Sequence, residues 1–353
     1  MKKSITKVVV AVGIDNGDTY SQVCGRAKNG AVILELRVRT TEAGLRAVMG
    51  KLPPCRVLIE AGSMTRWIKD LLEGLGHEVK VADPRKLRRI YENENKSDVE
   101  DARQLSEEAL DRWDRLREVR LRSQEAQEKL AVLKARDELV RVRTALVNLA
   151  RSVLKQDGVM VKKCVPESFF KNAEPLVPEG LKAALGPVLC QIEALSGQIR
   201  GYDRWIAEKA KSEPAVRLLQ GVCSVGPITA AAYVWTLDNP ERFQRSRVVG
   251  AFLGLRPRRD QSGEMDRQLP ITKAGNSFLR RLLTQCAQHI LGRFGTDTAI
   301  RRWGLRLAER GGKRAKRKAV VAVARKLAVI LHRLWVTGAV YERFPGTAAR
   351  AAA

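Results

Sequence analysis

Four acidic residues open the chemical reading of this chain: Asp15 in "AVGID", Glu60 in "VLIE", and Asp98 and Asp101 in "KSDVEDA". Asp98 and Asp101 stand three residues apart on an expected helix, so both carboxylates leave one face. Asp15 and Glu60 each close an expected apolar strand. Strand-end side chains of a mixed α/β sheet gather at one edge, where ligands usually bind. If the helix packs beside that edge, four carboxylates converge, and left unneutralised they repel one another. Two divalent cations on hard oxygen ligands resolve the repulsion, normally Mg²⁺ with Mn²⁺ as a substitute. Metals about 4 Å apart suit phosphodiester cleavage, since they activate a nucleophile and stabilise the leaving oxygen. Each residue also has a plainer reading. Asp98 serves as an acidic first-turn residue favoured by the helix dipole, and Asp101 as a solvated charge. Asp15 serves the Asn16-Gly17 turn, with Asp18 competing as the strand-end carboxylate. Glu60 is harder to dismiss, because "VLIE" belongs where strands are buried.

The elements that must position these groups follow from pattern. "TKVVVAVGID" reads as a buried strand, "YSQVCGRA" as an alternating one, and "AVILELRVR" as a third after the turn signal Asn29-Gly30. "TEAGLRAVMGKL" reads as helix, "CRVLIEAG" as strand, "MTRWIKDLLEGLG" as a helix closed by Gly76, and "HEVKVADP" as strand, before the acidic helix of residues 93–110. This order predicts an α/β unit with a mixed sheet over residues 1–112. From Gln124 the texture changes. Val132, Ala135, Leu139, Val142, Leu146, Leu149 and Val153 form one heptad seam, and Leu181, Leu185, Val188, Ile192, Leu195, Ile199, Tyr202 and Ile206 form a second. Residues 113–212 are assigned to this helical, coiled-coil middle, which folds back as an antiparallel arm, pairs with another subunit, or packs as core helices of a bundle. Residues 213–353 read as a mostly α domain. Its "LLQGVCSVGPITAAAYVWTL" resembles a helix-hairpin-helix turn, in which Gly221 to Gly226 let two helices meet and expose backbone N–H groups to phosphate.

With 353 residues and 44% apolar content, the chain can build two or three cores and does not have the composition of a disordered protein. It carries 65 Lys+Arg against 39 Asp+Glu, a net charge of +26. Residues 241–353 hold 25 Lys/Arg and 7 Asp/Glu, so +18 of that charge lies in the last third. The densest piece, "GGKRAKRKAVVAVARK", contains Lys313, Arg314, Lys316, Arg317 and Lys318. Such a field favours a polyanionic partner, nucleic acid above all; a merely soluble basic surface and an acidic membrane are the weaker readings. No apolar run reaches the ~20 residues of a membrane span. The opening "MKKSITKVVVAVGID" has the basic head of a signal peptide, but its apolar run stops at Asp15 without a cleavage site, so it reads as a strand of a cytoplasmic, nucleoid-associated protein. Six cysteines and three histidines are scattered without a C-x-x-C pair, which argues against zinc and disulfide frameworks.

On these motifs the chain resembles the DEDD transposases of insertion sequences, relatives of the Piv DNA invertases that act as bridge-RNA-guided recombinases. The N-terminal likeness runs through "GID", "IEAG" with Trp67, "GHEVKVADP" and "KSDVEDA"; the C-terminal one, to a transposase-20 domain, runs through "GVCSVGPITAAA", Arg242-Phe243, "GLRP", "QSG" and "ITKAGNSFLRRLL". The resemblance implies an RNase H-like, RuvC-type fold for the first third and Asp15, Glu60, Asp98 and Asp101 as metal ligands. It also implies Ser262 as a nucleophile that takes DNA as a covalent phosphoserine; by itself the Ser262-Gly263 pair reads as a turn. Further implied are a homo-oligomer, dimer or tetramer, in a prokaryotic cell, double-stranded donor and target DNA, and a bridge RNA that carries sequence specificity by base pairing. Lys96, Arg258, Arg259, Lys273 and Arg280 join the C-terminal cations as candidate nucleic-acid contacts, with Lys273, Asn276 and Arg280 alternatively supporting the serine. The chain departs from its relatives at Asp18, where a basic residue is frequent, and at Gln261, where a second serine is frequent. Two other readings stay open: a RuvC-like hydrolytic endonuclease that uses water, and a nonenzymatic nucleic-acid-binding protein.

Overall fold

The protein's structure, a computed structural model, describes residues 9–83, 97–116, 118–263 and 265–345. Lys96 lies outside them. Contacts divide the chain into two compact units, residues 1–121 and 122–353. This division is coarser than the three expected domains of residues 1–112, 113–212 and 213–353, and the long middle helices lie in the second unit.

In the first unit, strands β1 (Val9–Asn16), β2 (Tyr20–Ala27) and β3 (Val32–Arg39) form an antiparallel meander, turned at Gly30 with φ +84°. Helix α1 (Glu42–Met49), strand β4 (Arg56–Glu60), helix α2 (Thr65–Gly74) and strand β5 (Glu78–Ala82) follow, with β4 parallel to β1 and β5 parallel to β4. The sheet order is β3-β2-β1-β4-β5. Alternation decides its faces. Val12, Ile14, Val57, Ile59, Val79 and Val81 join Leu45, Met49, Ile68 and Leu72 in one core. Ala11, Leu58 and Ala82 face the other way, onto Leu105, Ala109 and Trp113 of helix α3 (Asp98–Asp111) and the turn after it. That helix is pinned laterally by Arg103, whose guanidinium donates to both Glu35 carboxylate oxygens on β3, and by Arg26 Nε donating to Ser106 Oγ at 2.8 Å.

Behind the sheet, His77 is buried. The Cys55 N–H donates to its Nδ1 at 3.3 Å, and Nε2 lies 3.1 Å from the Met49 carbonyl, which suits the neutral ring. Burial pushes its pKa below the ordinary value, against the opposing Met49 hydrogen bond. A histidine whose folded pKa is depressed contributes stability fully present above the unfolded value, about 6.5, and lost as pH falls below it. Protection factors of the β4 and β5 amides are thus expected to fall between pH 7 and about pH 5, and His77→Gln to flatten that fall. A fall of the same steepness in the variant would assign the acid sensitivity to other groups.

Among its described residues the second unit is helical apart from one hairpin and the connecting turns. Helices α4 (Gln124–Gln156) and α6 (Lys182–Ser212) run antiparallel, tied by Lys129–Glu213, Arg136–Asp203 and the Arg143–Ser196 hydrogen bond, with short helix α5 (Phe169–Ala173) at their far end. They fold back on each other within one chain. The buried seam of α4 is not the expected one: it runs through Leu130, Leu133, Arg143, Val147, Ala150 and Leu154, while Val142 and Leu149 are exposed. The α6 seam through Leu185, Ile192, Leu195, Ile199 and Ile206 holds. Leu130, Leu133, Ile206 and Ala210 belong to the same core as the C-terminal helices, so the pair is rooted in that unit. Helices α7 (Pro214–Gln220) and α8 (Pro227–Leu237) meet across the glycine-bearing turn, and α8 is buried from Thr229 to Leu237. Short helix α9 (Arg247–Phe252), hairpin strands β6 (Pro257–Ser262) and β7 (Met265–Ile271), and helices α10 (Ser277–Leu291), α11 (Ala299–Ala308) and α12 (Gly312–Thr337) complete it. Among the described residues no helix is long and apolar enough to cross a membrane.

Candidate active site

Asp15 and Glu60 occupy the ends of neighbouring parallel strands: Ile14 pairs with Ile59, so the next residue on each strand is the acid. By alternation with Ala11 and Gly13 on β1, and with Leu58 on β4, both acids belong to the face that α3 covers. The strand ends are fixed by threonines. Thr65 Oγ1 donates to the Glu60 carbonyl at 2.9 Å and accepts from the Gly62 N–H at 2.6 Å, and Thr40 Oγ1 donates to the Gly17 carbonyl at 2.8 Å. Helix α3 begins with Ser97 as its cap, whose Oγ accepts from the Glu100 N–H, the S-x-x-E pattern of a helix start. Its course then runs back along β1. A Cβ on Gly13 would overlap the Ser106 nitrogen and the Ala102 carbonyl and stand 2.7 Å from the Leu105 carbonyl carbon. Only glycine permits that approach, and it brings the first turn of α3 to the Asp15 end of the sheet. Asp101 is 6% exposed there, whereas Asp98, the first residue of α3, is exposed.

In donor chemistry these carboxylates, hard oxygens at strand ends and at a helix start, suit a divalent cation. As they stand they are not a preformed cage, for no three His, Cys, Asp or Glu among the described residues form a group that could hold a metal. Among the described residues both amide atoms of Asn16, next to Asp15, are buried without a hydrogen-bond partner, and by alternation this side chain belongs to the opposite face of the strand. Sequence reasoning missed Gly13, Thr40 and Thr65. The signal for Gly13 was present, since glycine inside an apolar strand marks a close backbone approach.

In the second unit, Ser262 ends β6 at the tip of the hairpin, exposed, paired with Met265 and followed by Gly263 at φ +54°. Sequence read this stretch only as a turn. Every β6 and β7 residue except the terminal Pro257 and Ile271 is exposed, so no apolar alternation announces the strands. The hairpin is held at its base. A Cβ on Gly275 would overlap the Phe252 carbonyl and one on Gly254 the Ala274 carbonyl, and both glycines have positive φ. Arg280 Nη1 donates to the Leu253 and Ala274 carbonyls at 3.0 Å each, so this guanidinium clamps the hairpin root. Arg259 makes a forked pair with Asp266 across the strands; Arg258 and Lys273 are exposed.

Lys313, Arg314, Lys316, Arg317 and Lys318 are exposed in the opening turns of α12, the positive end of its dipole. Among the described residues none is in an ion pair. Cations so placed repel the helix end and each other, which makes an anionic partner the natural complement.

Comparison with known proteins bears on both units. Residues 12–157 match a family described as "Transposase", and residues 216–304 match the family described as "Transposase IS116/IS110/IS902 family". An acid-bearing α/β unit followed by a basic helical unit is thus that of a transposase, an enzyme that cuts and rejoins DNA. A probable family 20 transposase of Pseudomonas aeruginosa is 30% identical, over 91% of this chain and 95% of its own. The transposase for insertion sequence element IS1111A of Coxiella burnetii is 29% identical over 92% and 89%, and that for IS1328 of Yersinia enterocolitica is 28% identical over 79% and 83%. The chain belongs to the IS116/IS110/IS902 family of insertion-sequence transposases.

Proposed function

We propose that this transposase cuts DNA by attack of Ser262 on a phosphodiester. The Ser262 Oγ–P bond forms as a P–O bond to deoxyribose breaks, the departing sugar oxygen takes up a proton, and attack of another deoxyribose hydroxyl reverses the step to join new ends. One ester replaces another, so rejoining needs no external energy. The observation that carries the reading is the exposed serine at the tip of a hairpin whose root is held by Gly254, Gly275 and Arg280: a nucleophile that projects from an anchored base. Asp15, Glu60, Asp98 and Asp101 hold Mg²⁺ in an RNase H-like, RuvC-type unit; the sheet order β3-β2-β1-β4-β5 supports that fold. When bound, the cations would offset charge on the phosphate oxygens. Arg258, Lys273 and the α12 cations hold DNA backbone. A bridge RNA supplies sequence choice, in keeping with a chain that has 5% aromatic residues, few for reading bases. Subunits of a homo-oligomer cooperate in the exchange.

The test is a denaturing gel of full-length protein with labelled junction DNA, Mg²⁺ and RNA from the surrounding element. A protein–DNA adduct that survives denaturation is expected in the wild type and is absent from Ser262→Ala. Cleavage that proceeds without an adduct and is untouched by Ser262→Ala identifies a hydrolytic nuclease and overturns the serine chemistry. An unchanged yield after ribonuclease treatment overturns the guided part.

A further inference from the structure

One cleft in the second unit takes no part in the chemistry above. It encloses about 470 Å³ between α4, α10 and the start of α8. Helix α4 presents Asp137, Arg141 and Asn148 to it, spaced by four and seven residues along one face; α10 presents Phe278, Arg281 and Gln285, spaced by three and four. Arg281 lies over the Phe278 ring at 5.3 Å and donates through Nη2 to Asp137, which also pairs with Arg141 at 3.3 Å. The guanidinium is therefore fixed as a flat plate between an aromatic ring and a carboxylate. Asn148 and Gln285 are exposed, and among the described residues neither amide is hydrogen-bonded.

We propose that this cleft accepts one unpaired nucleotide of a single-stranded nucleic acid. Its volume falls within the roughly 300–1,000 Å³ of small-ligand sites. A base stacks on aromatic rings and on guanidinium planes alike, and Phe278 with Arg281 supplies both. Asn148 and Gln285 each carry a donor and an acceptor, the pairing that a base edge presents. Arg141 is exposed and pairs with Asp137 at 3.3 Å and with Glu138 at 3.2 Å; exchanging the Glu138 contact for an adjoining phosphate keeps its charge matched. A paired base cannot enter, because its edge and faces are occupied within the duplex. Unpaired nucleotides arise in DNA at an exchanging junction and in RNA loops, and the recognition chemistry is common to both. The site rests on the enzyme's action on nucleic acid and does not need the serine mechanism.

The experiment measures binding of the full-length protein, at one fixed salt concentration, to fluorescent oligothymidylate and oligouridylate of about 12 nucleotides. An abasic strand with the same number of phosphates is the reference. Ala145→Trp fills the mouth of the cleft from an exposed position of α4, and Phe278→Leu removes the ring while keeping apolar volume. Each variant is expected to bind the base-bearing strands about tenfold more weakly and the abasic strand as the wild type does. The strand that suffers the larger loss identifies the source of the nucleotide. Equal losses on base-bearing and abasic strands, or no loss, overturn the site. If Phe278→Leu lowers the thermal midpoint, Ala145→Trp alone decides. Ser262→Ala, run alongside, is expected to keep oligonucleotide binding while losing the adduct, so failure of either reading shows separately.

Discussion

Replacing Asp15 with Asn, or Glu60 with Gln, is expected to lower DNA cleavage by on the order of a thousandfold or more while leaving fold and DNA affinity intact. The amide keeps the shape of each side chain, so the sheet end and the threonine-pinned turns after it lose no volume. What disappears, in the proposed mechanism, is one of the negative charges that hold a cation against the scissile phosphate. Affinity, in the same proposal, rests instead on cations far along the sequence, with +18 of the net +26 in residues 241–353. Removing a carboxylate near bound DNA relieves repulsion, so binding in both variants is expected to equal or slightly exceed that of the wild type. Cleavage rates across a Mg²⁺ titration, with filter binding on the same samples, check both halves. Full cleavage in both variants would remove the strand-end acids from the mechanism; lost binding would make them structural.

Gly13→Val is expected to destabilise the first unit by about 3 kcal/mol or more. The sign is informative. Valine is favoured in strands and usually improves one. Here its Cβ would overlap backbone atoms of Ala102 and Ser106, which belong to a helix and cannot give way as a side chain would. Either α3 lifts off β1, exposing Ala11, Leu58, Leu105 and Ala109, or the strand distorts beside Asp15. Hydrogen exchange resolves the two units: protection is expected to fall at β1, β4 and α3 and to persist at Leu219, Tyr233 and Leu327 in the core of the second unit. A gain in stability would mean that α3 does not rest on Gly13.

Much of this architecture could be read before any coordinates. "VVVAVGID", "VLIE" and the Ser97–Glu100 capping pattern are local signals with local causes: strand period, burial, and orphan N–H groups at a helix start. The sheet-end placement of Asp15 and Glu60 followed from them, and so did the turns at Gly30 and Gly76, both of which have positive φ. The seam of α4 did not follow. That helix carries more than one apolar stripe, and periodicity cannot say which one its partner covers. The stripe through Arg143 won because α6 supplies Ser196 and the following turn supplies Glu167, whose carboxylate accepts from Arg143 Nη2 at 2.7 Å. A residue that looks polar in sequence is buried when partners take up most of its polar atoms, here Nη1 and Nη2, although among the described residues Nε has none.

The β6–β7 hairpin was hidden for the opposite reason. Its strands bury almost nothing, so they leave no hydrophobic pattern, and their geometry comes from glycine contacts and the Arg280 bond to the Leu253 carbonyl, between residues far apart in the chain. By itself the sequence determined the charge, the α/β order of the first unit and the acids that end its strands, because each is set by neighbouring residues. Tertiary structure alone decided that α3 lies against Gly13, that Arg143 is buried while Val142 is not, and that Ser262 stands at the tip of a locked ribbon. Those outcomes depend on which distant surfaces meet, and no local pattern encodes that.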